Sequence, residues 1–391
     1  MVTEGELNPT IKLFPVGKAP ITVDIFSQGG GRRGAATSGF LFGLSRFEDI
    51  VIEGMSGTSA GAMANATHAH GLAKEAVNPL HHDRQDTRIL QANLYKVVTE
   101  CSPYNVMQTM VEQTHHTMQM GQNLLVAAPF AALHPMAFIA SMGSLSRGIE
   151  KQFQTYGQAL TRAGKLHGKK HILELILEDV IGNTKSITHP SAPLLVNNVV
   201  RVADSKELLL HNREPMTLKH VAASGALTAY LPTIHVPGIG ECRDGAEGGA
   251  NPPLLDFYRL KKEILPNAKA TIGILYNLSD PDGSLKEELK ARDPKLHAHF
   301  IHAMNRQKQE RDTLIAGGHD LRIVQAALTR EQRQESLSDT NPDKMRAMFR
   351  IGQKQGEALG FQLLSEALGQ DAKLLMRPQT TQPARQPALH R

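Results

Sequence analysis

Residues Ile50–Leu72 read IVIEGMSGTSAGAMANATHAHGL, and the fold is decided on this stretch. Ile50–Met55 is a short apolar run of strand length. The chain then turns through Gly57-Thr58-Ser59-Ala60-Gly61 and continues as an Ala-rich helix, with Gly71 expected as the glycine just past its end. Strand, G-x-S-x-G, helix is the context of a nucleophile elbow, in which the serine sits on a strained turn with its hydroxyl presented to solvent. Gly57 and Gly61 let strand and helix pass closely, and the Ala60 N–H at the helix start is then able to face an oxyanion. A flexible Gly/Ser loop is the plain alternative. The flanking strand and helix favour Ser59 as a nucleophile.

Upstream, Ile21–Phe26 is a β-rich run that delivers the chain into Gly29-Gly30-Gly31-Arg32-Arg33-Gly34. Phe40, Leu41, Leu44 and Phe47 then recur at helical spacing. Two β–α units back to back imply an α/β protein, three layers deep (α/β/α), with a largely parallel central sheet and its site at the carboxyl ends of the strands. GGGRRG is neither G-x-G-x-x-G with a later acidic partner nor followed by Gly-Lys-Ser/Thr, so dinucleotide and P-loop readings do not fit. Successive glycines at a strand end do let several backbone N–H groups point into one hollow, where a developing oxyanion is held. Gly30 and Gly31 are the first candidates, with the Arg32 N–H beside them. Arg33 is expected to act by charge, fixing the loop or meeting a substrate phosphate; a surface arginine paired with a carboxylate is the alternative.

Downstream, residues 241–253 read ECRDGAEGGANPP. An Asp before Gly can simply shape a turn. Ser59, however, needs a base, either a histidine or a carboxylate held in a dry pocket where burial raises its proton affinity. Elsewhere the pattern predicts a hairpin from Leu194–Val202 and Glu207–Leu210, a helix over Leu218–Leu227, and strands at Thr233–Val236 and Thr271–Tyr276. Helical, charged stretches are expected over 73–110 and 150–182. A polar helical stretch is expected from Lys286 to Glu335, and a last helix from Asp343 to Met376 with a glycine-punctured apolar face.

Leu124–Gly143, LLVAAPFAALHPMAFIASMG, runs twenty residues without a formal charge. That length suffices for a membrane span, but Pro129, Pro135 and His134 argue against a continuous transmembrane helix. A buried helical hairpin and a mobile apolar cap over a lipid site remain as readings. The expected organisation is an N-terminal extension over 1–20, one domain over 21–376 with a helical insertion at 112–182, and a Pro/Gln-rich disordered tail over 377–391.

The chain is 41% hydrophobic and 21% charged, ordinary for a protein with a sizeable core. Its net charge of +5, with 18 histidines that add positive charge below about pH 6.5, suits an anionic partner. No Trp and no basic run interleaved with Tyr or Phe favour a lipid surface and no nucleic acid. Cys101 and Cys242 make no disulfide framework, and no Cys/His spacing suggests a metal. The first twenty residues lack a basic then apolar leader, so a cytoplasmic or peripheral membrane location is expected, with export only by a route other than Sec.

GGGRRG, then GTSAG, then DGA with a following NPP, together resemble the patatin-like phospholipase family. Ala223–Ile234 (ASGALTAYLPTI), Ser102–Asn105 (SPYN) and Leu194–Val200 (LLVNNVV) look like further landmarks, and the likeness spans roughly 20–280. The resemblance implies a lipid acyl hydrolase of the phospholipase A or lysophospholipase kind, acting through an acyl-serine with no cofactor. Ser59 is then the nucleophile and Asp244 its partner in a Ser–Asp dyad. Gly30, Gly31 and Arg32 become the oxyanion hole, and Arg33 sits where the family has Lys or Arg. DGA in place of DGG, and Glu247-Gly248-Gly249 before Asn251-Pro252, depart from the family pattern and bear on substrate fit. Two rivals stand beside this reading. One is an α/β-hydrolase triad using His297, His299, His302 or His319; the other is a non-catalytic lipid- or phosphate-binding protein on the same fold.

Overall fold

The computed structural model describes residues 19–77, 171–228, 231–268, 272–278, 290, 294–329, 332 and 342–369. Expectations for the extension up to residue 18, the helical stretch beyond 77, the apolar run 124–143, the insertion up to residue 170 and the tail fall outside the described residues. Numbered in chain order, the described elements begin with β1 (Ile21–Ser27), α1 (Gly34–Leu44), β2 (Ile50–Gly57) and α2 (Ala60–Val77). Next come α3 (Ile172–Ile181), β3 (Leu194–Arg201), β4 (Glu207–His211), α4 (Leu218–Ala223), β5 (Ile234–Val236) and β6 (Gly240–Asp244). α5 (Leu255–Ile264), β7 (Ile272–Asn277), α6 (Pro294–Ala316), β8 (Leu321–Gln325) and α7 (Pro342–Leu368) complete the set.

The strands form one sheet in the order β5-β6-β3-β2-β1-β7-β8, with β4 on the other edge of β3. β3, β2, β1, β7 and β8 run parallel, and β4, β5 and β6 pair antiparallel. Both faces are covered, which is why the central strands read as nearly continuous apolar runs. On one face Val23, Ile25, Leu195 and Val199 pack with side chains of α1, α2, α3, α4 and α7. On the other, Phe26, Leu194, Val196 and Leu275 pack against Phe257 of α5 and Leu314 of α6. The architecture is three-layer α/β/α, as the two β–α units imply. Among the described residues no helix is long and apolar enough to cross a membrane.

α1 and α7 meet through glycines on both sides. A Cβ at Gly39 would lie 1.9 Å from the Phe349 carbonyl oxygen, and one at Gly352 would lie 1.9 Å from that of Ala36. Gly43 and Gly356 repeat the arrangement against Gln353 and Phe40, each at 2.1 Å. The punctured face of the last helix is thus a backbone-to-backbone contact, which only residues without a Cβ permit.

Several expectations need correction. α2 does not stop at Gly71 but continues to Val77, because Leu72, Ala73, Lys74, Glu75 and Ala76 are good helix formers that carry the helix past one glycine. The polar stretch Lys286–Glu335 is not one helix: Gly317-Gly318 ends α6, and β8 follows as a short edge strand. Half-buried strands of five residues leave too little alternation to stand out in sequence. The helix expected over Leu218–Leu227 is shorter, closing at Ala223 before a turn.

Candidate active site

β2 ends at Gly57 and α2 begins at Ala60, so Thr58 and Ser59 alone make the turn between them. Ser59 has φ +54°, a left-handed conformation that costs a residue with a Cβ roughly 1–2 kcal/mol. The turn is held on both sides. Thr58 N–H donates to the Ser27 carbonyl at 3.3 Å, and Ser59 N–H donates to the buried Ser224 Oγ at 3.0 Å. The glycines behave as the elbow requires: a Cβ at Gly61 would lie 2.3 Å from the Ser27 oxygen, and one at Gly57 would lie 2.7 Å from the Ala62 nitrogen.

The sheet brings Asp244 to this turn. Val196–Val200 of β3 pair with β4 along one edge. The other edge is shared end to end, with Gly57 of β2 opposite Asn197 and Asp244 of β6 opposite Val199. β6 therefore runs head-on toward the end of β2, and Asp244, its last residue, arrives where Ser59 leaves. The carboxyl is 1% exposed, and its Oδ1 accepts the Ala246 N–H at 2.9 Å. Burial pushes its pKa up to about 7; the Ser59 hydroxyl and the Ala246 N–H act against that rise, and the nearby Glu247 adds to it. The Ser59 contact is looser than a formed hydrogen bond, and Oδ2 has no hydrogen-bond partner. Glu247 is itself held by Thr228, through N–H at 2.6 Å and Oγ1 at 2.8 Å.

No histidine hydrogen-bonds to Ser59 or Asp244 among the described residues. His299, His302 and His319 are exposed, and His319 lies with its ring against Tyr258, 4.9 Å between centroids.

The glycine loop lies against Ser59, since a Cβ at Gly29 would sit 2.8 Å from the Ser59 Cβ. The Gly29 N–H is taken by Asn251 Oδ1 at 2.7 Å. The N–H groups of Gly30, Gly31, Arg32 and Ala60 donate to no other group among the described residues, and Gly31 takes φ +54° to start the short 3-10 turn Gly31–Arg33. These four are the amides singled out from sequence. Arg33 differs from one expectation: its side chain is fully buried and engaged inside the protein, so it is not a surface arginine.

Sequence reasoning missed the residues that hold these parts. Asn251 fixes the glycine loop, Ser224 fixes the turn at Ser59, and Gln28 props the loop by accepting Leu278 N–H at 2.6 Å while its amide nitrogen reaches Met304 of α6. Glu310, also on α6, accepts the N–H groups of Leu254 and Leu255 at 2.8 and 3.2 Å. Arg306 joins Glu310, Asp256 and Glu207. The legible signal was Asn198 inside the apolar run of β3, because a buried amide calls for partners, which Asn198 finds in Thr58, Glu207 and Ala250. Among the described residues no group of three or more His, Cys, Asp and Glu side chains is arranged to hold a metal ion. Cys242 is a buried thiol whose pKa burial pushes up to about 11, so it is no thiolate at neutral pH.

No protein-family model matches this chain, and no curated protein matches it. Among solved structures it is similar to VipD from Legionella pneumophila at 10% identity and a TM-score of 0.37, covering 92% of this chain and 71% of that one. A likeness at that level carries no argument, and the site stands on its own geometry.

Proposed function

We propose that the chain hydrolyses carboxyl esters of lipids through an acyl-Ser59 intermediate, with Asp244 as the base. Ser59 Oγ attacks the ester carbonyl carbon while its proton passes to Asp244. The carbonyl oxygen becomes an oxyanion beside the free amides of Gly30, Gly31 and Arg32, with Ala60 N–H at the helix start as a further donor; a donor of this kind is typically worth about 10²–10³ in turnover. Collapse expels the alcohol, which takes the proton from Asp244. Water then loses a proton to Asp244 as it attacks the acyl group, and Asp244 returns that proton to Ser59 Oγ as the fatty acid leaves.

The observation that carries this reading is geometric: the sheet brings the buried Asp244 carboxyl, its pKa pushed up to about 7 by burial, to the turn that presents Ser59. A base is most useful when its pKa lies near the working pH. The dyad is favoured over the triad because the candidate histidines make no hydrogen bond to either residue. Replacing His297, His299, His302 and His319 singly by Ala is expected to leave hydrolysis within a few-fold of wild type.

The lipid character of the substrate rests on the ordered motifs that resemble the patatin-like family, and on the apolar run at 124–143. Arg33 is assigned to holding the glycine loop from within. The test is incubation of the full chain with a mixed lipid extract and identification of products by mass spectrometry. Free fatty acids with matching lysolipids or glycerol esters are expected from wild type and not from Ser59→Ala. Products without acyl release, or an unchanged yield from Ser59→Ala, would overturn it.

A further inference from the structure

We propose that Asn198 is the positioning residue that keeps the nucleophile turn and the Asp244 loop in register. The inference rests on the Ser59–Asp244 reading above. It starts from a problem of distance along the chain: Ser59 and Asp244 sit on two separate loops, and their contact is loose as it stands. Something must fix one loop against the other to within a fraction of an ångström, since misplacement of reacting groups by about 1 Å costs roughly 10²-fold in rate.

Asn198 touches both loops. Its Oδ1 accepts the hydroxyl of Thr58, the residue before the nucleophile, at 2.6 Å. Its Nδ2 donates to the Ala250 carbonyl at 2.7 Å and to Glu207 Oε1 at 2.9 Å. Ala250 lies on the loop that follows Asp244, and the Thr58 hydroxyl reaches the same carbonyl at 3.2 Å. The amide has one workable orientation, because turning it over would set its oxygen against the Ala250 carbonyl and the Glu207 carboxylate. The neighbouring backbone is shaped to admit it. A Cβ at Gly245, next to Asp244, would lie 2.4 Å from Asn198 Oδ1, and one at Gly249 would lie 2.8 Å from Nδ2.

The far end of the tether is anchored as well. Glu207 also accepts Ala250 N–H at 2.9 Å and pairs with Arg306 of α6. Asn198 is fully buried, as are Thr58 and Ala250, so the bonds are not shared with bulk water. Because β3 carries Asn198 one position beyond the residue paired with Gly57 and one before the residue paired with Asp244, its amide stands between the two strand ends.

The test removes the link at Thr58 and leaves the sheet intact. In the full chain, Thr58→Val replaces the hydroxyl by a methyl of similar size, and Thr58→Ser keeps it. Both are measured by the rate of labelling with a fluorophosphonate and by kcat, KM and pH profile on a soluble short-chain ester, with thermal melting to establish folding. Thr58→Val is expected to lose about 10–100-fold in labelling and in kcat with KM little changed. The acid limb of its kcat/KM profile should move to higher pH, because Asp244 loses part of the Ser59 contact that favours its ionised form. Thr58→Ser should stay within a few-fold of wild type. Asn198→Ser, too short to bridge the two loops, is the second variant and should reproduce the loss and the shift if Thr58→Val does not fold. A folded Thr58→Val or Asn198→Ser with wild-type labelling, or an equal loss in Thr58→Val and Thr58→Ser, would overturn the positioning role while leaving the dyad standing. A folded wild type that never labels would remove the dyad and this inference together.

Discussion

At the scale of single residues, Asp244 makes the sharpest predictions because its two roles pull in opposite directions. With a pKa of about 7 it is largely protonated in mild acid, so kcat/KM should rise through about pH 7 as the carboxylate forms, read from a pH–rate profile on a soluble ester. The same shift bears on stability with a definite sign. A carboxyl with its folded pKa raised above the ordinary value of 3.8 stabilises the fold fully below that value, and loses this contribution as pH rises through about 7. Asp244→Asn should therefore abolish hydrolysis and yet stabilise the fold at pH 8 by on the order of 1–3 kcal/mol, read as a raised melting temperature, with the gain vanishing near pH 4. A melting temperature lowered at pH 8 would contradict the burial argument. Ser59 was singled out by its sequence neighbours, because a strained turn demands particular small residues, and Asp244 by the resemblance of its motif. Asn198, Ser224 and Asn251 were not assigned roles, because a polar side chain's partner across the sheet depends on register, which local sequence does not specify.

At the scale of elements, the order and starts of β1, α1, β2 and α2 could be read, since apolar runs alternate there with glycine turns of fixed purpose, but the end of α2 could not. β8 could not, because a half-buried edge strand carries little periodicity. The α1–α7 contact lies between these cases. Its glycines were visible as interruptions of an apolar face, but their reason appears only when the two backbones are seen within touching distance. Gly39→Ala or Gly352→Ala should destabilise the chain by about 1–3 kcal/mol or more, since the clash is with backbone and has no flexible side chain to yield. The shift in urea midpoint measures it. α5 supplies a second case: Lys261 is buried between Asp24, at 2.7 and 2.8 Å, and Glu53, at 2.6 Å. Lys261→Met removes the ammonium that pairs with the buried Asp24 carboxylate and should cost about 3–5 kcal/mol, while Lys261→Met with Asp24→Asn should recover much of that.

At the scale of the whole molecule, one sheet edge does the assembling. β3 holds β2 and β6 end to end, α6 braces the loops that follow, and two segments far apart in sequence meet at one turn. The apolar run 124–143 of the sequence, outside the described residues, is the candidate for meeting a lipid surface. Introducing charges there should weaken action on vesicles more than on soluble short-chain esters, and equal loss on both would count against a capping role. The measurement closest to the central claim is mass mapping of the fluorophosphonate adduct on the folded full chain. A single adduct on the peptide carrying Ser59 is expected, absent in Ser59→Ala and formed at least about a hundred times more slowly in Asp244→Asn. An adduct on another residue, or labelling of Asp244→Asn at the wild-type rate, would contradict it.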